Sequence, residues 1–130
     1  MSLIVEKIQL TAIGFSGITN ITEHLKAMLS KNNIQDGILI ATTTNSEAAL
    51  ISVNKKVDIQ GYLKPLIQDL TSAQNYNNPL TPTLKANLVG KSVTIPFSKK
   101  FLTMTPMEQV ILIDFSQTPK PFELILQILY

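Results

Sequence analysis

Residues 3 to 10 carry β-branched and apolar side chains in a roughly alternating pattern that predicts an opening strand, and Gly14 and Gly17 mark turns after it. The period then changes. Asn20 followed by Glu23 has capping-box spacing, and Ile21, Leu25, Met28 and Leu29 recur on one helical face, which predicts a helix from about 21 to 31. Asn32 and Asn33 end it. Asp36-Gly37 then turns the chain into Ile38 to Ala41, a buried strand, and Ala48 to Val53 gives a second strand beyond the polar stretch Thr43 to Glu47. This pair is expected to form a hairpin.

Residues 58 to 70 place Ile59, Leu63, Leu66, Ile67 and Leu70 at helical spacing behind Asp58 as a cap, and Pro65 must mark a kink or shorten the helix. Residues 71 to 83, rich in Ser, Thr, Asn and Pro, form the one long loop, where function most often sits. A short turn of helix at 84 to 88, stopped by Gly90, leads into strands at Ser92 to Phe97, Phe101 to Met104, Gln109 to Phe115 and Phe122 to Leu129. Short links between these four predict one antiparallel sheet, with Ser98-Lys99-Lys100 as a hairpin turn bearing solvated charges. The fold class is therefore α+β: an antiparallel sheet or sandwich with two main helices and a short third helical turn.

Composition narrows the chemistry. The chain has 130 residues, 45% apolar and 15% charged, enough for one domain, residues 1 to 130, with its own core. It has no Cys, which excludes disulfides, thiolate nucleophiles, iron–sulfur clusters and Cys-ligated zinc. A single His removes most imidazole chemistry. All 11 basic residues are Lys and the net charge is only +2, so the electrostatic footprint and the bidentate Arg of a nucleic-acid reader are both missing. The longest apolar runs fall short of the ~20 residues of a membrane helix, and the first residues lack the pattern of a secretory signal. The expectation is a cytoplasmic protein bound to neither nucleic acid nor membrane.

The segment Leu84-Lys85-Ala86-Asn87-Leu88-Val89-Gly90-Lys91-Ser92-Val93-Thr94-Ile95-Pro96 resembles the YjbQ-like family, also known as the secondary thiamine-phosphate synthase family, whose members carry a His-Leu-Lys-Ala stretch, Leu-Leu-Gly and a Ser-Val-Thr-Ile-Pro strand. Other pieces fall in register: Ile21-Thr22-Glu23, Asp36-Gly37, Ala48-Ala49-Leu50 and Asp114-Phe115, so the resemblance spans roughly residues 10 to 130. It implies a homotrimer with the family's site near a subunit boundary.

The departures from the family pattern fall on its functional residues. The family's His before Thr-Thr-Ala-Ala is Asn45 here, followed by Ser46 and Glu47; the acidic residue after Ile-Asn falls near Asn54. The loop His falls on Asn78, two residues beyond Tyr76, and the His before Leu-Lys-Ala is Thr83. The Gly- and acid-rich segment between those two histidines is reduced to Pro79-Leu80-Thr81-Pro82, and Gly-Thr-Trp-Gln is replaced around Thr105 to Glu108. Amide and hydroxyl oxygens are hard, weak ligands where imidazole would hold Zn²⁺ or Ni²⁺, so no transition-metal site and no cofactor is expected. General acid–base work would fall to Glu47, Asp58 or a Lys of strongly shifted pKa.

Asn45, Ser46, Glu47, Asn54, Asn78, Thr83 and Lys85 are thus the candidate vestigial pocket. For the Thr42 to Glu47 stretch the plainer expectation is a strand end and turn whose side chains bond their own backbone. Lys85 suits an anionic ligand or a subunit contact equally; His24, off the apolar face of its helix, is expected to face solvent or an interface, and Met104 and Met107 to fill the core or an interface. The function expected is a noncatalytic structural or binding member of the family, assembled with itself or with an intact member, its small-molecule ligand undetermined. Two rivals stay open. One is a divergent enzyme, which needs Asn45, Glu47, Asn78 and Lys85 in one pocket; the other is a small-molecule sensor or carrier.

Overall fold

The computed structural model describes residues 1–10, 17–71, 80–116 and 121–130. Along the chain run β1 (Leu3–Leu10), β2 (Ile18–Asn20), α1 (Thr22–Asn32), β3 (Gly37–Thr43) and β4 (Ala48–Asn54). A π-helical turn (Ile59–Leu63) then leads into α2 (Lys64–Thr71), and α3 (Thr81–Val89), β5 (Ser92–Ser98), β6 (Phe101–Leu102), β7 (Glu108–Asp114) and β8 (Phe122–Leu129) complete the order. The strands form two antiparallel sheets, β1-β8-β3-β5-β6 and β2-β7-β4.

The hydrophobic pattern explains the layering. In β8, Phe122, Leu124, Leu126 and Ile128 are buried while Glu123, Ile125, Gln127 and Leu129 are half-buried, the signature of a sheet packed on one face. In β7, by contrast, Val110, Ile111, Leu112 and Ile113 are all buried, an unbroken run that demands cover on both faces. Val110 and Leu112 join Ala48 and Leu50 in the core between the sheets, where they meet Leu39, Leu124, Leu126 and Ile128 of the larger sheet. Ile111, Ile113 and Ala49 point the other way, on the side where α3 lies along β4 and where Ile67 of α2 and Ala86 of α3 are buried.

α1 wedges between the sheets and contacts both β6 and β7. Its spaced apolar set, with Ile21 just ahead of it, is fully in the core; at ~1.5–3 kcal/mol per buried aliphatic side chain this face, rather than helix propensity, holds the helix. Of the capping box only the Asn20 half forms, its Oδ1 accepting from Thr22 N at 2.9 Å, while Glu23 stands 3.8 Å from Lys26 Nζ. Asn33 ends the helix in the left-handed region at φ 51.

Several sequence expectations are corrected. β3 and β4 are not a hairpin: β3 lies between β8 and β5 in the larger sheet, and β4 pairs with β7 in the smaller one. The cause is the link from α3 to β5. Lys91 O takes Thr43 N at 3.0 Å and Gly90 O takes Leu50 N at 2.9 Å, so this link holds the backbone groups through which β3 and β4 would begin to pair. Nor do the last four strands form one sheet. β5 and β6 are a hairpin, but β7 crosses to the smaller sheet and β8 returns to sit between β1 and β3. Pro106, which has no N–H for a ladder, lies in the crossing segment after β6.

The helical segments are redistributed as well. Asp58 does cap the segment after β4, its Oδ1 accepting from Gly61 N at 2.9 Å, but the first turn is π-helical, with Lys64 N reaching Ile59 O. Pro65, which has no N–H for the ladder, then falls at the junction where the π turn passes into α2. α3 is longer than the expected turn and begins at Thr81, inside the segment read as loop. β2, three residues long, has no counterpart in the sequence reading.

One face of the molecule has no layer over it among the described residues. The outward side of the larger sheet carries Leu3, Leu129, Ile38 and Pro96 in one cross-strand row, Val5, Gln127, Ile40 and Thr94 in the next, and Lys7, Ile125, Thr42 and Ser92 in the third. On this face Leu3, Val5 and Ile38 are exposed, whereas α1 packs on the opposite, inward face. No helix among the described residues is long and apolar enough to cross a membrane.

Candidate functional site

The β3–β4 connection holds three of the candidate residues. Asn45 Oδ1 accepts from Glu47 N at 2.8 Å, Thr43 Oγ1 accepts from Asn45 N at 3.4 Å, and Asn45 O accepts from Ala48 N at 3.3 Å. This is an Asx turn that uses its own side chains to satisfy its own backbone. Glu47 O accepts from Phe115 N at 2.9 Å, which ties the turn to the end of β7.

Asn54 lies at the far end of β4, six steps or about 20 Å along an extended strand from Ala48. There its Oδ1 accepts from Lys56 N at 2.8 Å. Asn78 lies outside the described residues. Thr83 and Lys85 are both on α3, two residues and so about 200° apart around the helix, and cannot serve one pocket from one face.

Lys85 does line a cleft. A cavity of about 270 Å³ is bounded by Gln60 of the π turn, by Lys64, Pro65 and Gln68 of α2, by Lys85 of α3 and by Phe115. Lys85 Nζ donates to Gln68 Oε1, which pins the ammonium against α2. Burial pushes the Lys85 pKa below its ordinary 10.5. Burial also lowers that of Lys64; the carboxylate of Asp114 draws it back up and the charge of Lys85 depresses it further.

Asp114 is buried, with Oδ1 accepting from Ser116 N at 2.8 Å and from Ser116 Oγ at 2.6 Å. Gly17, at φ 68, lets these groups approach: its carbonyl takes Asp114 N at 2.7 Å, and a Cβ there would stand 2.8 Å from Asp114 O and 3.3 Å from Lys64 Nζ. The structure thus joins Lys85 to Lys64, which the sequence reading did not single out. Their proximity comes from the packing of α2 on α3, for which nothing local in the sequence gives a signal.

A larger cavity, of about 420 Å³, lies between α1 and the segment around β6, over Leu29, Leu102 and Met104, and contains none of the candidate residues. Of its charged groups, Glu23 faces Lys26, and Glu108 accepts from Ser52 Oγ and Thr105 N, both at 3.3 Å. Met104 packs against the core, whereas Met107 is 38% exposed. His24, half-buried, lines neither cavity. Among the described residues no three of His, Asp and Glu come together in a group that could hold a metal ion.

Two antiparallel sheets, a wedge helix between them and a helical layer outside the smaller sheet define the class: an α+β sandwich of the YjbQ type. The family model described as UPF0047 protein YjbQ-like matches residues 6–129, and the chain belongs to that family. No curated protein matches it significantly in sequence. Among solved structures it is similar to a YbjQ-like protein of unknown function from Sulfolobus solfataricus, with a TM-score of 0.85 at 16% identity over 98% of this chain and 96% of that one. An uncharacterized conserved protein of the yjbq/upf0047 family from Clostridium acetobutylicum gives 0.84 at 15% identity over 95% and 99%. A conserved hypothetical protein from Thermus thermophilus gives 0.76 at 19% identity, with 95% and 99% covered. At these identities the likeness establishes the fold.

Proposed function

We propose that this protein is a noncatalytic binding member of the YjbQ-like family that acts as an oligomer of its own chain, closed over the outward face of the larger sheet. The observation that carries this reading is that face. Leu3, Val5 and Ile38 are exposed there, and Ile40, Ile125 and Leu129 lie beside them. Strands ~4.8 Å apart and rows ~6.8 Å apart give these three rows a footprint on the order of 400 Å², in which seven of the twelve positions are apolar. A second copy suits it on charge. The apolar row lies at one end of the face and Lys7 and Glu123, one of each sign, at the other, so copies can meet with opposite charges in register. The homotrimer that the family resemblance implies is the expected form, and a mixed assembly with an intact family member would use the same face, in the cytoplasm.

The noncatalytic half of the reading is supported by the candidate residues. Asn45 is engaged with its own turn, and neither its side chain nor that of Glu47 lines the cleft that holds Lys85.

Light scattering of the purified chain tests the assembly, with three times the 14.4 kDa chain mass expected. Val5→Lys and Ile38→Lys, both at exposed positions, are expected to give a folded protein of one-chain mass. A wild-type mass of one chain overturns the reading, as does an unchanged mass in both variants.

A further inference from the structure

We propose that the cleft between the π turn, α2 and α3 binds a small monocarboxylate, its oxygens between the ammonium groups of Lys64 and Lys85 and its carbon part against Phe115 and Pro65. The proposal deepens the reading of the protein as a binding member and does not depend on its assembly.

Size comes first. At about 270 Å³ the cleft lies just below the ~300–1,000 Å³ typical of sites for drug-sized ligands, so its occupant is small. Its walls combine two ammonium groups, two primary amides and the apolar surfaces of Phe115 and Pro65. That is the composition of a site for an organic anion, with a few polar groups to orient the ligand and an apolar wall to hold its carbon skeleton.

Charge selects among anions. Lys64 and Lys85 contribute two positive charges, and both Lys85 and the one negative charge of Asp114 act on Lys64. Oδ1 of Asp114 is already engaged by Ser116 N and Oγ, and Asp114 does not itself line the cleft. Among the described residues the local sum is one positive charge. A monoanion neutralises it, whereas a phosphate dianion would leave an excess negative charge beside the Asp114 carboxylate. Lysine also suits this geometry, because two separate ammonium groups act as point charges on two carboxylate oxygens, where the fork of a single Arg would take both.

Burial adds a second argument. Both lysines are held partly out of water and titrate below the ordinary value, so an anion placed between them restores interactions that folding removed. The cleft is also distinct from the place the resemblance assigns to the lost imidazoles. Thr83, at the position of one of them, lies on the opposite side of α3 from Lys85.

The test is a titration of the ¹⁵N-labelled full-length protein, followed by amide shifts, with sodium propionate, sodium phosphate and sodium chloride at matched ionic strength. Propionate is expected to move the amides of Gln68, Lys85 and Phe115 saturably, and chloride to leave them in place. Removing one charge-assisted contact should weaken propionate binding about tenfold in Lys64→Met and in Lys85→Met, with Lys31→Met, whose ammonium pairs with Glu6 elsewhere, unchanged. Lys85→Gln gives a second variant should Lys85→Met misfold. Three results overturn the proposal: no saturable shift, shifts that persist in the Lys64 and Lys85 variants, or phosphate binding more tightly than propionate. Light scattering on the same sample reads the assembly independently.

Discussion

The hydroxyl of Thr22 and the main chain of Val110 are bonded in both directions. Val110 N donates to Thr22 Oγ1 at 2.9 Å, and Thr22 Oγ1 donates to Val110 O at 3.4 Å, with both groups buried. Ile21 N adds a bond to the same carbonyl at 2.9 Å. The start of α1 is thereby fastened to β7 by a residue that also fills a core position. Thr22→Val keeps the volume but leaves a buried N–H without its acceptor, a loss of about 1–3 kcal/mol. Urea unfolding is expected to show a lower midpoint at unchanged slope, and Thr22→Ser, which keeps the oxygen, is expected to lose less.

The β5–β6 hairpin carries the opposite kind of defect. Its turn residues Lys99 and Lys100 both have positive φ, at 51 and 68, a conformation that favours Asn and Gly. The bonds that hold the turn are largely made by its backbone, with Lys99 N on Asp36 Oδ1 at 3.3 Å and Lys100 N on Gln35 O at 2.9 Å. Asn and Gly at these two positions keep both bonds. The double variant Lys99→Asn, Lys100→Gly is therefore expected to raise stability by up to about 1 kcal/mol, less the bond from Lys100 Nζ to Asn33 Oδ1. A rise in thermal midpoint checks it.

Lys64 sets a pH dependence. Its folded pKa lies below the ordinary 10.5, chiefly through burial, so between those two values the unfolded chain binds more protons than the folded one. The contribution of this group to stability therefore rises with pH across that window and is least favourable below it. Lys64→Met, which removes the penalised charge, is expected to be at least as stable as the wild type at pH 7, with the difference narrowing as pH approaches 10.5. Urea midpoints at several pH values read this directly. A variant less stable at pH 7 would mean that attraction to Asp114 outweighs burial.

The parts of this fold that were legible in the sequence are those whose cause is local. The rough alternation in β1, the apolar face of α1, the Asp58 cap and the Lys99-Lys100 turn each depend on neighbours within a few residues. What misled was pairing. Ile38 to Ala41 and Ala48 to Val53 read as a hairpin, yet β3 finds β8 and β5, and the link at Gly90 and Lys91 bonds the ends where the two strands would meet. The same limit applies to the site. The Asx turn of Asn45 was legible because it closes within two residues, whereas the meeting of Lys64 and Lys85 depends on how two helices pack. The absence of side chains able to bind a transition metal at Asn45 and Thr83 could be read from residue type alone.

The place of β8 between β1 and β3 has a consequence for synthesis. β1 leaves the ribosome first among the strands, yet its partner in the sheet is β8, which emerges after every other element. Until then β1 is an apolar strand with both edges free, and β3 lacks one of its two neighbours. The larger sheet can close only once β8 is present, through contacts of large sequence separation, and such closure is slow. Until β8 arrives, the unpaired edges of β1 and β3 are the segments of the larger sheet most open to pairing with another chain.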